Sequence, residues 1–278
     1  LFASIQVGVL SAGESIEIYP SAPNRGEFVI VRVRGCASDA RYDIRVGRGN
    51  VVPVSETLAT GSVAYLGIPL TSASTTRLEL RRNGTPVQRK DLFLPPLEQA
   101  PPRPITVASA YVRPPDALSV RLDQEADLLK ETRKRWTNIR WFGNIPVPPV
   151  ENGRVGTRFG AKRIFNDQKE SVHWGVDIAG APALVCSLFP GKVILVRELY
   201  FSGLTVFVEH GLGLMTQYSH LADACVKEGD FVPGGAVLGR MGMTGRATGP
   251  HLHLSAYING TAVDPLTVSS NCRRFKFQ

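Results

Sequence analysis

Apolar runs in this chain are short, and glycine, proline, serine or asparagine closes almost every one of them. A chain punctuated every few residues in this way has little room for long helices and reads as strands joined by turns. In the first hundred residues, "SIQVGVL", "SIEIYPS", "EFVIVRVRG" and "YDIRVG" are such runs. "TRLELRRNGTPVQRKDL" alternates on both sides of Asn83-Gly84, a dipeptide suited to the two-residue turn of a β-hairpin. Residues 1–104 are therefore expected to form a small β-sandwich. They contain no histidine and no cluster of carboxylates, so the sandwich is expected to position or shield a site rather than to supply it.

"PPLEQAPPRP" breaks the pattern at residues 95–104 and reads as a stiff, extended connection. Residues 105–145 form the linker, with a helix expected at about 116–137. There Leu118, Leu122, Ala126 and Leu129 recur at helical spacing within "DALSVRLDQEADLLKETRKRW". From residue 146 to 278 short apolar strands return: "GKVILV", "LTVFVEHG", "LMTQYSHL", "GDFVPGGAVLG". The fold class is mainly β, with an N-terminal sandwich, a linking helix and a C-terminal antiparallel-β domain. No stretch reaches the roughly 18 consecutive apolar residues of a membrane-spanning helix. The chain opens on Leu1, and "LFASIQVGVL" lacks the basic start of a signal peptide, so a mature or truncated form is expected.

The net charge of +8 comes from 32 basic against 24 acidic residues. The basic residues are dispersed; the densest runs, Arg133-Lys134-Arg135 and Arg273-Arg274-Phe275-Lys276, are short and accompany no nucleic-acid motif. No nucleic-acid partner is expected, while an acidic polymer such as a cell wall would suit the charge. Four cysteines, Cys36, Cys186, Cys225 and Cys272, lie far apart with no C-x-x-C pair, which removes zinc-ribbon and thioredoxin-type readings.

All five histidines lie in the C-terminal part, between His173 and His253. His251 and His253 stand one residue apart in "GPHLHLSA", and side chains at i and i+2 of a strand share a face. In "HWGVDIAG", His173 and Asp177 are four apart and also share a face if the chain is extended. Two imidazoles and a carboxylate are the ligand set of an open catalytic zinc site, which keeps its fourth position for water. His173, Asp177 and one histidine of the H-x-H pair would make such a set. The other member of the pair and His220, from "QYSHL", would then lie beside it as proton-handling groups.

"SVHWGVDIAG", "TQYSHL" and "GMTGRATGPHLHLSAYINGTAVDPL", in that order, closely resemble the lysostaphin-type (LytM-like) zinc endopeptidases that cut peptidoglycan cross-links. The resemblance runs from about Val150 to Leu266, and "GRVGTRFG" and "VKEGDFVPGGAVLG" fit its framework strands. Carried over position by position, it makes His173, Asp177 and His253 the ligands of one zinc per chain. It makes His251 and His220 the catalytic imidazoles, with His251 as general base and His220 binding the developing oxyanion or assisting proton transfer. His210, in "VEHGLG", matches a framework histidine that orients a turn. In the family's fold the segments carrying Cys186 and Cys225 come near each other, which admits a disulfide between them.

The resemblance thus implies a zinc-dependent endopeptidase acting on peptidoglycan peptide stems, in the periplasm or secreted. A catalytically silent activator or peptidoglycan-binding protein of the same fold is the alternative, although such proteins usually lack one or more of the histidines. A lipoyl-like carrier, suggested by "VKEGDFVPGGAVLG", needs a lysine at a hairpin tip, and this strand leads into "RMGMTG" instead.

Overall fold

The computed structural model describes residues 13–96, 101–143, 145–180 and 183–277. "SIQVGVL" lies outside them. The first eight strands are β1 (Ser15–Tyr19), β2 (Phe28–Arg34), β3 (Tyr42–Val46), β4 (Val51–Pro53), β5 (Glu56–Leu58), β6 (Gly61–Gly67), β7 (Thr75–Arg82) and β8 (Thr85–Phe93). They make two antiparallel four-stranded sheets, ordered β1-β2-β6-β5 and β4-β3-β7-β8. Strands β7 and β8 are joined by Asn83-Gly84, both at positive φ (51° and 82°). That is the backbone of a tight turn whose twist matches the strands.

The run "FVIVRVR" of β2 shows why this sandwich does not stand alone. An outer strand face would be polar at every second residue, yet Phe28, Val29, Ile30, Val31 and Val33 are all buried. Val29, Val31 and Val33 face the sandwich interior with Ile44, Leu66, Leu78 and Leu80. Phe28 and Ile30 face the other way, joined by Val63 and Tyr65 of β6 in a second core that includes Phe189, Leu214, Ala256 and Ile258 from the C-terminal part. Burying each such side chain contributes on the order of 2 kcal/mol, so the two halves are held by a continuous apolar core.

Further along run β9 (Arg103–Ile105), α1 (Ser119–Arg133), β10 (Arg154–Val155), β11 (Lys162–Phe165), β12 (Lys169–Val172), β13 (Val176–Ala179) and β14 (Leu184–Cys186). After them come β15 (Gly191–Leu199), β16 (Gly203–Gly211), β17 (Leu214–Ala224), β18 (Phe231–Val232), β19 (Val237–Met241), β20 (Leu252–Ile258), β21 (Thr261–Val263) and α2 (Pro265–Arg274). Ten of these strands form one sheet with the path β10-β13-β20-β17-β16-β15-β18, to which β14, β19 and β21 attach. Helix α1, preceded by a 3-10 turn at Asp116–Leu118, lays Leu128 and Leu129 on Leu195, Phe207, Met215 and Tyr257.

Helix α2 begins at Asp264, whose carboxylate accepts the Leu266 N–H at 2.9 Å, with Pro265 in the first turn. It ties the halves together through polar contacts. Asn271 Nδ2 donates to the Phe28 carbonyl at 2.7 Å, and the Phe28 N–H donates to Thr267 Oγ1 at 3.0 Å.

The proline-rich connection also does more than span a distance. Arg103–Ile105 pairs in parallel with β11 at the edge of a three-stranded sheet, β12-β11-β9, where Pro104's missing N–H is tolerated. Asn166 fastens the next turn of chain: its Oδ1 accepts the Val107 N–H and its Nδ2 donates to the Val107 carbonyl, both at 2.9 Å. Tyr200 Oη donates to the Ala110 carbonyl at 2.8 Å, so residues 103–110 run from β11 to the β15–β16 turn.

All four cysteines carry free thiols. Cys225 directs its sulfur to the Val237 carbonyl at 3.2 Å rather than to Cys186.

Candidate metal centre

Strand alternation builds most of the site. On β20, Leu252, Leu254, Ala256 and Ile258 are buried in the core, which turns His253, Ser255 and Tyr257 to the opposite face. Asp177 on β13 is the direct cross-strand partner of His253, so the two side chains stand side by side. His173 enters from the turn after β12, its backbone tied by N–H donation to the Ala161 carbonyl at 2.9 Å. Gly175 allows this crowding: a Cβ there would lie 2.4 Å from the Leu254 carbonyl oxygen and 2.8 Å from His253 Nε2. Any side chain at 175 would push β13 off β20 or displace the ring.

The result is a tight set of donors. His173 Nε2 lies 2.9 Å from Asp177 Oδ1 and 2.9 Å from His253 Nδ1, and His253 Nδ1 lies 3.0 Å from Asp177 Oδ1. The remaining nitrogens are held in place. His173 Nδ1 donates to the Arg158 carbonyl at 3.0 Å, and His253 Nε2 bonds Ser255 Oγ at 3.0 Å. A carbonyl can only accept, so the proton of neutral His173 is on Nδ1 and its Nε2 turns a lone pair inward. With His253 donating to Ser255, its Nδ1 does the same. Two nitrogen lone pairs and a carboxylate oxygen about 3 Å apart repel one another unless a cation sits among them, and two imidazoles with one carboxylate suit zinc.

Two more imidazoles border this cluster. His251 Nδ1 donates to the Gly249 carbonyl at 2.8 Å, leaving Nε2 turned inward, 3.6 Å from Asp177 Oδ1. His220 Nδ1 donates to the Thr244 carbonyl at 2.8 Å. Its ring lies 4.9 Å from that of His251 and 5.9 Å from that of His253. On β17, alternation alone would send His220 inward with Tyr218. Instead its φ is +63°, and the pairing with β19 shifts register just beyond it, between Leu221 and Asp223. A bulge re-aims the ring onto the face of His253. Left-handed backbone at a non-glycine residue is costly and concentrates at functional sites.

Electrostatics keep the cluster in a ligand-competent state. Burial opposes ionisation of Asp177, but hydrogen bonding to His173 and His253, whenever the facing nitrogens carry a proton in place of a metal, outweighs it and holds the carboxyl far below the ordinary range. Burial pushes His253 down to about 4, partly offset by Asp177. Burial and the neighbouring His253 and His251 push His220 down to about 3. These imidazoles are neutral near pH 7, as ligands and bases must be.

His210 is elsewhere. Its Nδ1 donates to the Pro190 carbonyl at 2.8 Å and its Nε2 accepts from Thr216 Oγ1 at 2.7 Å. Three residues around the centre were not singled out by sequence reasoning: Ser255, Arg163 and Arg246. Arg163 on β11 bonds Asp177 Oδ2 through Nη2, occupying the oxygen that faces away from the histidines. The i+2 spacing of Ser255 from His253 was the one signal available for it.

Residues 171–265 match Peptidase family M23. The chain is 34% identical over 130 residues to the DD-carboxypeptidase/endopeptidase Mpg of Neisseria meningitidis serogroup B. It is 40% identical over 131 residues to the peptidoglycan DD-endopeptidase ShyB of Vibrio cholerae. Each alignment covers 46% of this chain and 30% of the relative, so the chain spans less than a third of the length of these proteins. A crystal structure of a putative peptidase M23 from Pseudomonas aeruginosa superimposes over 91% of this chain and 96% of that one, with a TM-score of 0.68 at 27% identity. The similarity therefore extends through the N-terminal sandwich, while the family match falls on the strands that carry the histidines. Residues 171–265, the segment that carries the histidines, thus match a peptidase family M23 domain of the lysostaphin (LytM) type.

Proposed function

We propose that this protein is a zinc-dependent endopeptidase that hydrolyses peptide cross-links of bacterial peptidoglycan, in the periplasm or outside the cell. The observation that carries the reading is the cluster of His173 Nε2, Asp177 Oδ1 and His253 Nδ1 within about 3 Å of one another, bordered by two further imidazoles. The polymer is suggested by relatives named for peptidoglycan endopeptidase activity, and its extracytoplasmic location sets the compartment. A silent activator is disfavoured because every donor is present.

His173, Asp177 and His253 would hold the metal, whose Lewis acidity polarises a peptide carbonyl and acidifies water. His251 is the general base: its Nδ1 is fixed by the Gly249 carbonyl, so Nε2 accepts a proton at a defined place. Fixed by the Thr244 carbonyl, His220 presents Nε2 to the same space and stabilises charge developing on the carbonyl oxygen or passes a proton to the departing amine. Arg163 holds Asp177 from behind, which fixes the carboxylate's orientation.

The direct test joins two measurements on the same preparation. Elemental analysis should find about one zinc per chain, and digestion of purified sacculi should release muropeptides whose masses report a cut cross-link. Chelation should abolish release and zinc should restore it. Intact sacculi after incubation with zinc-loaded protein would refute the activity.

A further inference from the structure

The groove around the metal centre is more cationic than the proposed chemistry requires. It has two parts, of about 420 and 200 Å³, and Arg163, Phe165, His220 and Arg246 line both. Arg103 adds a third guanidinium to the larger part and Arg133 a fourth to the smaller. Among the residues lining the two parts there is one carboxylate, Asp177. That carboxylate is already committed to the histidines and to Arg163.

Arg163 is paired with Asp177, whereas among the described residues Arg103, Arg133 and Arg246 have no ion-pair partner, and of these three Arg246 is the one that lines both parts. Its Cζ lies 4.1 Å from the centre of the Phe165 ring and 4.9 Å from that of Phe201. The guanidinium thus packs against two aromatic side chains, Phe165 from β11 and Phe201 from the β15–β16 turn. The backbone at 246 is held by N–H donation to the Phe201 carbonyl at 2.9 Å. Among the described residues no carboxylate or carbonyl accepts from its side chain. Burial, and then repulsion from Arg163, makes its charged form less favourable than an ordinary arginine's, a penalty an anionic ligand would relieve. A stacked, partly desolvated guanidinium with unused donors suits a carboxylate, since its fork matches two carboxylate oxygens.

We propose that Arg246 binds a free carboxylate of the peptide substrate beside the bond to be cut, so that the enzyme selects cross-links flanked by an acid over neutral ones such as glycine bridges. This rests on the peptidase reading for its site and extends it to the substrate. The position supports the assignment: Arg246 is shared by both parts of the groove, next to His220, where the two sides of a scissile bond would meet.

The probes are two synthetic cross-linked peptides that differ only at that position, one a free acid and the other its carboxamide. Zinc-loaded wild-type protein should cleave the acid roughly ten- to a hundredfold more efficiently, the usual worth of a charge-assisted pair. In Arg246→Gln the acid-to-amide ratio should collapse to about one. Arg246→Lys, which keeps the charge but not the fork or the stack, should lower the ratio at least threefold and decides the matter if the Gln variant unfolds or sheds zinc. Calorimetric binding of both peptides to metal-free protein supplies a readout without turnover. A binding preference for the acid that Arg246→Gln abolishes, with neither peptide cleaved, would uphold the receptor and sink the peptidase. Cleavage of both peptides at equal rates, or a preference that survives in both variants, overturns the role of Arg246.

Discussion

His210 is fully buried and His253 half-buried, yet desolvation pushes both down to about 4, and both are hydrogen-bonded to a neighbour's oxygen. A lowered pKa therefore does not separate a framework histidine from a functional one here. The difference lies in the second nitrogen. In His210 it is consumed by Thr216 Oγ1, which is also hydrogen-bonded with Tyr218 Oη at 3.0 Å, and Tyr218 Oη in turn accepts the Leu188 N–H at 2.7 Å. In His173, His253, His251 and His220 one nitrogen is fixed and the other is turned to a common space. A satisfied imidazole is structure, whereas one with a lone pair held open in a defined direction can bind or take a proton.

The largest effects should come from removing an open nitrogen that holds metal. His253→Ala or Asp177→Ala leaves two protein donors, and both zinc and cleavage should fall to background by elemental analysis and muropeptide release. Full zinc occupancy in Asp177→Ala would remove that carboxylate from the ligand set. A smaller but still large effect is expected one residue away. His251→Ala leaves the three donors intact, so zinc should stay while cleavage drops on the order of a hundredfold or more, the typical contribution of a positioned acid–base group. His220→Ala should behave alike. If His251→Ala sheds zinc while His253→Ala keeps it, the roles within the H-x-H pair are reversed.

How legible this was depends on the length scale of each constraint. The mainly-β fold was open to reading because alternation, turn residues and an Asn-Gly hairpin are local signals, as in β7 and β8. The grouping of His173, Asp177, His251 and His253 was equally accessible, since a strand fixes which residues share a face. His220 was grouped with the others from the clustering of the histidines and from the resemblance, not from strand geometry: period two would put it on the core side, and the positive φ that turns it outward leaves no mark in "QYSHL". Arg163 and Arg246 were not legible. Each acquires its meaning from a distant partner, Asp177 for the one and the Phe165–Phe201 pair for the other. The shared core also went unread, although the unbroken run "FVIVRVR" signalled a strand covered on both faces.

That shared core sets an expectation of its own. A fragment starting near residue 145 would strip Phe28, Ile30, Val63 and Tyr65 from Phe189, Leu214, Ala256 and Ile258. With roughly 2 kcal/mol for each buried side chain lost, the fragment should melt far below the whole chain or aggregate, as seen by thermal unfolding. A fragment as stable as the full chain would mean that the C-terminal sheet buries that face in another way.

The smallest effect is the one that tests the comparison from the other side. His210→Gln removes a titrating group but keeps an amide able to replace one of the bonds to Pro190 and Thr216, so zinc content and most cleavage should survive. Its consequence should appear in acid. His210 has a folded pKa of about 4, below the 6.5 of an unperturbed histidine. Above pH 6.5 it is neutral in both folded and unfolded chains and its full contribution is present. As pH falls from 6.5 towards 4, the unfolded chain takes up a proton that the folded chain refuses, so stability declines. The loss is at most about 1.4 kcal/mol per pH unit and about 3 kcal/mol in total, with nothing further once the folded chain is protonated as well. Denaturant unfolding of wild type and His210→Gln, taken pairwise from pH 7.5 to 4, cancels the other titrating groups. The wild type should be the more stable protein at pH 7.5 by about 1 kcal/mol, the worth of a buried hydrogen bond, and should lose that lead on acidification. A difference that stays constant across this range would mean that His210 is not held neutral by its burial, and the likeness between it and His253 would go with it.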